Sequence, residues 1–283
     1  MVMSPLAPSS VASSFVDEAP VAAHSWSPRR TLSPRVFPVV AVGTLALLVA
    51  VWQVCAMNGV INVNLFPAPS TVWSAAVELA QTGRLWLDLS TSLTRAAVGF
   101  SIALVLGVGM GLLTGRLVVF QVLLEPVLQI LRPIPGIAWV PFAILWFGVG
   151  ELPKIFIIVL GAVLPIWLNT HIGASATPIR YLETAASLGV RGIAVFFRVV
   201  LPSALPFIAA GIRQGLALSI LMLAAAEQTG ASAGIGYLIT SSHVAFRTDR
   251  MIVGLLTLGI IGAVADAIFT RLSRRALHWE TTS

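Results

Sequence analysis

The sequence predicts an all-α polytopic membrane protein with about six transmembrane helices. Three observations carry this prediction. Charged residues make up 10% of the chain against 57% hydrophobic ones, and the mean hydropathy is +0.94. Runs of spanning length, uncharged or nearly so, recur at 38–57, 96–115, 155–170, 206–226 and 251–270. At about 1.5 Å per residue, each can cross roughly 30 Å of hydrocarbon as a helix.

Ahead of the first run, residues 1–35 are rich in Ser, Pro and Ala and show no apolar period, which predicts a disordered cytoplasmic tail. Arg29-Arg30 before an apolar run has the look of a twin-arginine export signal, but no Ala-x-Ala cleavage site follows. Run 38–57 is therefore read as a retained first helix with basic residues on its inner flank. Its Cys55 is the only cysteine, so no disulfide and no metal cluster is expected. The net charge of +6 would suit a nucleic-acid partner. Arginines that orient spans explain it better, and no nucleic acid is expected.

Segment 117–150 is too long for one straight crossing and cramped for two. It holds Glu125, Arg132 and prolines at 126, 133, 135 and 141, each proline removing a helical hydrogen bond. Basic residues decide the parity. With a single crossing, Arg29, Arg30, Arg35, Arg116, Arg180, Arg191, Arg198, Arg271, Arg274 and Arg275 fall on the cytoplasmic side. Arg84, Arg95, Lys154, Arg247 and Arg250 then lie outside, ten against five. Two crossings would give seven against eight, so the positive-inside rule selects one. Both termini and the region 171–203 then face the cytoplasm, and a short tail, 272–283, follows the transmembrane domain 36–271.

Within 171–203 the stretch ETAASLGVRGIAVFFRVVLP (183–202) separates two apolar runs. Thr177-Pro178 predicts a helix start, with the hydroxyl as cap and the proline in the first turn. At 100° per residue, Arg180, Glu183, Thr184 and Ser187 share one polar arc. Ile179, Tyr181, Leu182, Ala185, Ala186 and Leu188 cover the remainder, and the two alanines would let a neighbouring surface approach closely. Gly189 is placed to end the helix in a left-handed turn. A second short helix, 191–200, is expected to stop at Leu201-Pro202. Periodicity alone allows two uses of such a segment: an interfacial helix on lipid headgroups, or a docking helix for a cytoplasmic partner.

Glu183, Ala185, Gly189 and Leu201-Pro202 match in spacing the EAA loop of ABC-importer permeases. Thr184 replaces the first alanine of that motif and Val199 its isoleucine. RPIPGIAWVPFAILWFGVGE (132–151) and EQTGASAGIGYLI (227–239) resemble the permeases of the sulfonate, taurine and nitrate importer group, and the likeness runs from about Leu65 to Arg271. The resemblance implies that the loop is a coupling helix in a cleft of a separate ATPase. Glu183, Ala185, Ala186, Gly189, Leu201 and Pro202 would be its contact and geometry residues. It also implies two ATP-binding cassette subunits carrying ATP and Mg, an external solute-binding protein, a homodimer of this chain and a bacterial plasma membrane. The solute would be a small anion or polar molecule of the sulfonate, taurine or nitrate type; bicarbonate and a vitamin precursor remain open alternatives.

A Walker loop requires lysine after a glycine-rich turn, and the only lysine, Lys154 in GELPKI, lacks that context. No cofactor is therefore expected on this chain, and it is not read as an enzyme. His24, His171, His243 and His278 are scattered, so no metal site is expected either. Arg132, Pro133, Pro135 and Trp139 are candidates for a translocation path, because a broken helix can line a cavity. Arg132 would present charge to an anion, bind carbonyls freed by the prolines, or pair with Glu125. Trp139, Phe142, Trp146 and Phe147 suit a gate, core packing or an interfacial belt. Arg213 is read as snorkelling or interhelical, and Asp266 as a partner of Arg271. Glu227, Gly230, Gly234 and Gly236 are candidates for a bent outer gate. Two rivals belong to other classes. One is an ion-gradient-driven secondary transporter, which would show paired broken helices; the other is a scaffold whose loop binds lipid.

Overall fold

The computed structural model describes residues 36–59 and 61–277, and these are almost entirely helical. The helices are α1 (Val36–Met57), α2 (Pro69–Gln81), α3 (Arg84–Arg116), α4 (Val118–Leu131), α5 (Val140–Phe147), α6 (Glu151–Ser175), α7 (Ile179–Ser187), α8 (Ile193–Val195), α9 (Leu201–Gln228), α10 (Ile235–Val244) and α11 (Thr248–Ala276). A 3₁₀ turn, Gly136–Trp139, precedes α5, and a π-turn, Phe196–Val200, joins α8 to α9. The chain divides into two units, Met1–Leu48 and Val49–Ser283. Of the first, only the start of α1 is described, and the expected tail 1–35 lies outside the described residues.

Among the described residues, four helices are long and apolar enough to cross a membrane: α3, α6, α11 and the continuous Ile193–Gln228. α4 and Gly136–Phe147 are together apolar enough and bent by 94°, a fifth span if the pair crosses once. α1 adds a shorter apolar stretch, Val42–Met57, so six spans are compatible with these helices. The predicted runs all fall inside helices, but the helices extend past them. α3 starts twelve residues before its apolar run, because charge marks where hydrocarbon ends and not where a helix must end. At about 1.5 Å per residue its length is close to 50 Å.

The core is a layer of α3, α6 and α9. One face of α3 is buried along its whole length: Asp88, Ser92, Arg95, Gly99, Ala103, Gly107, Gly111 and Thr114. Its glycines face Ile158, Ile166 and Thr170 of α6 in that order, and Gly115 faces Ala174. A Cβ on Gly111 would lie 2.4 Å from Cβ of Thr170, so only glycine permits this approach. Small residues every fourth position bring backbones together where no hydrophobic force drives helices to associate. On the other side of α6, Gly211 and Gly215 of α9 meet Asn169 and Ile166. At the far end of this seam, Thr114 accepts a bond from Trp167 Nε1 (3.1 Å) and lies 3.0 Å from His171 Nδ1.

Residue numbers rise together along the α3–α6 contact, so these helices are parallel. Segment 117–150 must therefore return the chain from one end of the layer to the other, which makes its number of crossings odd. α9 runs antiparallel to both, with Phe207 beside Gly173 and Met222 beside Gly161.

Two local expectations fail. Leu201-Pro202 does not stop a helix: the chain stays helical from Ile193 to Gln228. The wider π-turn just before Pro202 makes room for its ring beside the carbonyl of Arg198, where an α-turn would clash. Thr177 does not cap α7 either. Its hydroxyl donates back to the Ala174 carbonyl (3.2 Å), and Pro178 occupies the cap position.

Candidate functional site

At the end of the layer marked by Arg116, Ser175 and Ile193, α7 forms a short exposed helix. It is closed by a Schellman motif: Val190 N–H donates to Ala185 O (2.9 Å) and Gly189 N–H to Ala186 O (3.0 Å). Gly189 has φ +76°, as the motif requires, and nothing crowds its missing Cβ. Arg180, Glu183, Thr184 and Ser187 are all exposed, as the polar arc predicts. Thr184 and Ser187 return their hydroxyls to Arg180 O and Glu183 O, leaving Arg180 and Glu183 as the arc's free charges among the described residues. Ala186 is exposed, whereas Ala185 is buried against its own chain at 5% exposure. Ile179, Tyr181, Leu188, Ile193 and Phe197 are exposed in the chain, an apolar fringe around the polar arc. Leu201 and Pro202 are half-buried; Pro202 lines an open groove with Tyr181, Thr184, Leu188 and Arg198.

The second candidate is the bend in the fifth span. Helix α4 passes Pro126 unbroken and ends at Leu131, and Arg132 to Pro135 carry the turn. Arg132, Pro135, Gly136 and Trp139 line a cavity of about 280 Å³, together with Gly161, Leu164 and Pro165 of α6 and Gln214, Leu218 and Met222 of α9. Pro133, in the same turn, is exposed. Glu125 accepts a bond from Gln129 (3.0 Å), not from Arg132. No hydrogen bond or ion pair of the Arg132 side chain occurs among the described residues, so neither structural role expected for it is seen. Trp139, Phe142 and Trp146 do cluster, with ring centroids 5.9 to 6.3 Å apart, and Phe156 of α6 joins Trp146 and Phe147.

The third candidate lies at the opposite end of the layer and is more extensive than the sequence suggested. Glu227 is 1% exposed. It accepts bonds from Ser92 Oγ (2.8 Å), Arg95 Nη1 (2.9 Å) and the Gly236 amide (2.9 Å). Arg95, expected on the outer side, lies at the end of the layer opposite α7, buried within α3, and turns its remaining donors to Glu151 and to the Ala233 carbonyl. Lys154 completes the cluster through Glu151 (3.2 Å) and the Gly150 carbonyl (2.7 Å). The glycine-rich turn wraps around this centre. Gly234, at φ +123°, gives its amide to Asp88 (2.8 Å), and Ile235 gives its amide to Ser92 (2.8 Å). The first amides of α10, which could otherwise hold an anion, are thus capped by the protein's own oxygens. A Cβ on Gly234 would fall 2.5 Å from the Glu227 carboxylate, and one on Gly236 2.6 Å from its Cβ. Gly230 turns at φ +76° in open space.

Asp266 corrects one further expectation. Its partner is Arg213 of α9, through two bonds of 2.7 and 2.9 Å, and not Arg271. The five-residue spacing to Arg271 places that side chain off its face of the helix.

Sequence comparison agrees with this architecture. The family model for binding-protein-dependent transport system inner membrane components matches residues 103–278. A Bacillus subtilis permease protein named for aliphatic sulfonates transport is 36% identical over 84% of this chain and 86% of its own length. The taurine transport system permease protein of Escherichia coli is 31% identical over 84% and 89%, respectively. The nitrate import permease protein of a Synechocystis strain is 34% identical over 83% and 86%. In fold, an inward-facing structure of a methionine ABC transporter aligns at TM-score 0.56 and 20% identity, covering 65% of this chain and 92% of that one.

Proposed function

This chain belongs to the family of binding-protein-dependent transport system inner membrane components, and from that premise we propose how it works. It is a multi-pass permease of the ABC-importer type, similar to the sulfonate, taurine and nitrate group. Our reading is that α7 docks into a separate ATP-binding cassette ATPase, which binds ATP and Mg. Two copies of the chain would join two such subunits and an external solute-binding protein in a bacterial plasma membrane, with both termini cytoplasmic.

One observation carries the coupling: α7 is an exposed nine-residue helix with Glu183 free and large apolar side chains around it, locked by the turn at Gly189. A rigid helix then runs without a stop from Ile193 into the core, so a displacement of α7 reaches α9 directly. ATPase closure would rock the layer between inward- and outward-facing states, in the manner of rigid-body switching. The lipid-binding alternative gains nothing from Glu183, which anionic headgroups would repel. The solutes named for the relatives are small anions or zwitterions. Arg132, unpaired among the described residues and facing a cavity, supports an anionic group as the part recognised.

Co-purification tests the coupling. Wild-type chain should bring down its co-expressed ATPase. Glu183→Arg and Gly189→Trp should lose it while still inserting at normal level; retained ATPase in both variants overturns the assignment. In the same preparations, Arg132→Ala should assemble normally but import poorly, and wild-type import would remove Arg132 from the path.

A further inference from the structure

The pair Arg213–Asp266 sits where an exposed ion pair is costly. Arg213 lies within the apolar run 206–226 and Asp266 within the apolar run 251–270. Both runs belong to helices long and apolar enough to cross a membrane, yet the two side chains are 58% and 46% exposed in the chain. Charges at that depth must face water or protein and not lipid. Asn169 and Gln214 border the same open groove beside alanines and Phe269, and Asn169 Nδ2 donates to Gln214 Oε1 (3.2 Å). Gln214 also lines the cavity that holds Arg132. Gln214 thus joins the cavity of Arg132 to the groove of Arg213.

We infer that Arg213 is a second anion-contacting residue of the transport path, and that Asp266 occupies its guanidinium between solutes. This rests on the permease reading above and extends it to residues that sequence reasoning treated as structural. A carboxylate holds the guanidinium fork in the two-bond geometry that a sulfonate, carboxylate or nitrate group can also adopt. An incoming oxyanion exchanges with Asp266, whose half-exposed carboxylate then turns to water. The exchange keeps binding weak. A bare arginine at this depth would hold an anion tightly, whereas a path needs sites favourable enough to enter and loose enough to leave.

The experiment uses the whole complex with its ATPase and binding protein in proteoliposomes, with ethanesulfonate, taurine and nitrate as probes. Arg213→Gln should lower import of the probe that wild type carries by about tenfold, the scale of losing a charged hydrogen-bond partner. Asp266→Asn should lower both KM and kcat, because the unguarded cation holds the anion longer. The decisive variant is the exchange Arg213→Asp with Asp266→Arg, which rebuilds an ion pair but moves the cation to α11. It should assemble with the ATPase and still import poorly. Wild-type import by the exchanged pair, or an unchanged KM in Asp266→Asn, would make the pair structural and overturn the inference. Absence of ATP-driven import by wild type would instead count against the permease reading itself.

Discussion

Glu227 shows how much one side chain can organise in a membrane protein. Its carboxylate is buried and meets a hydroxyl, a guanidinium and an amide, so its charge is solvated entirely by protein. Removing one member of a buried ion pair leaves the other uncompensated and costs about 3–5 kcal/mol. Glu227→Ala should therefore lower the thermal transition of the detergent-solubilised chain sharply. Glu227→Gln, which keeps two of the three bonds possible, should lower it less; equal and small shifts would show that the cluster is not holding this end together. The sequence pointed to Glu227 and the glycines at 230, 234 and 236 as a bent outer gate, but not to what they pack against. Their role is steric: Gly234 and Gly236 let the backbone fold against the carboxylate itself. Arg95 was counted only among the outer charges, because a charge next to an apolar run reads as the edge of a span, and its burial was not foreseen. The signal that corrects it is spacing, since Asp88, Ser92 and Arg95 share the buried face of α3 with Gly99 and Ala103.

At the scale of elements, the hydrophobic runs were legible because hydropathy alone marks what hydrocarbon accepts. The kinked span was legible too, since Pro133 and Pro135 cannot sustain an α-helix together. The two short helices, α2 and α10, carry no spanning run and were not foreseen as helices. The fate of Leu201-Pro202 was misjudged for another reason. A proline breaks an α-turn, but a π-turn ahead of it supplies the space, and no local pattern announces that adjustment. The glycine ladder of α3 offers a direct test of the packing that the sequence held unread. Gly111→Leu would drive a side chain into Thr170 and the Trp167 carbonyl, each under 3 Å from the added Cβ, and overpacking of this kind costs about 1–3 kcal/mol or more. Gly109, two residues away, has nothing within 4 Å of its missing Cβ, so Gly109→Leu should leave the transition nearly unchanged. Similar losses in both variants would mean that α3 does not contact α6 through its glycine face.

For the whole molecule, parity joins the short segments to the mechanism. The parallel course of α3 and α6 forces 117–150 to cross an odd number of times, and the antiparallel course of α9 places α7 and the Glu227 cluster at opposite ends of the layer. The arginine imbalance in the sequence predicts that the α7 end faces the cytoplasm, where the proposed ATPase would meet it. Family membership removes the rival of an ion-gradient transporter, which periodicity alone left standing. Sidedness can be measured directly because Cys55 is the single cysteine. With Cys55→Ser as background, Ser187→Cys on exposed α7 should resist a membrane-impermeant thiol reagent in intact cells and react after permeabilisation. Ser232→Cys, exposed in the turn that wraps Glu227, should react in intact cells. Labelling of position 187 from outside would put the docking helix beyond reach of any ATP-hydrolysing subunit. The coupling, the solute direction and the path from Arg132 to Arg213 would then fail together, since each depends on which end of this layer meets the cytoplasm.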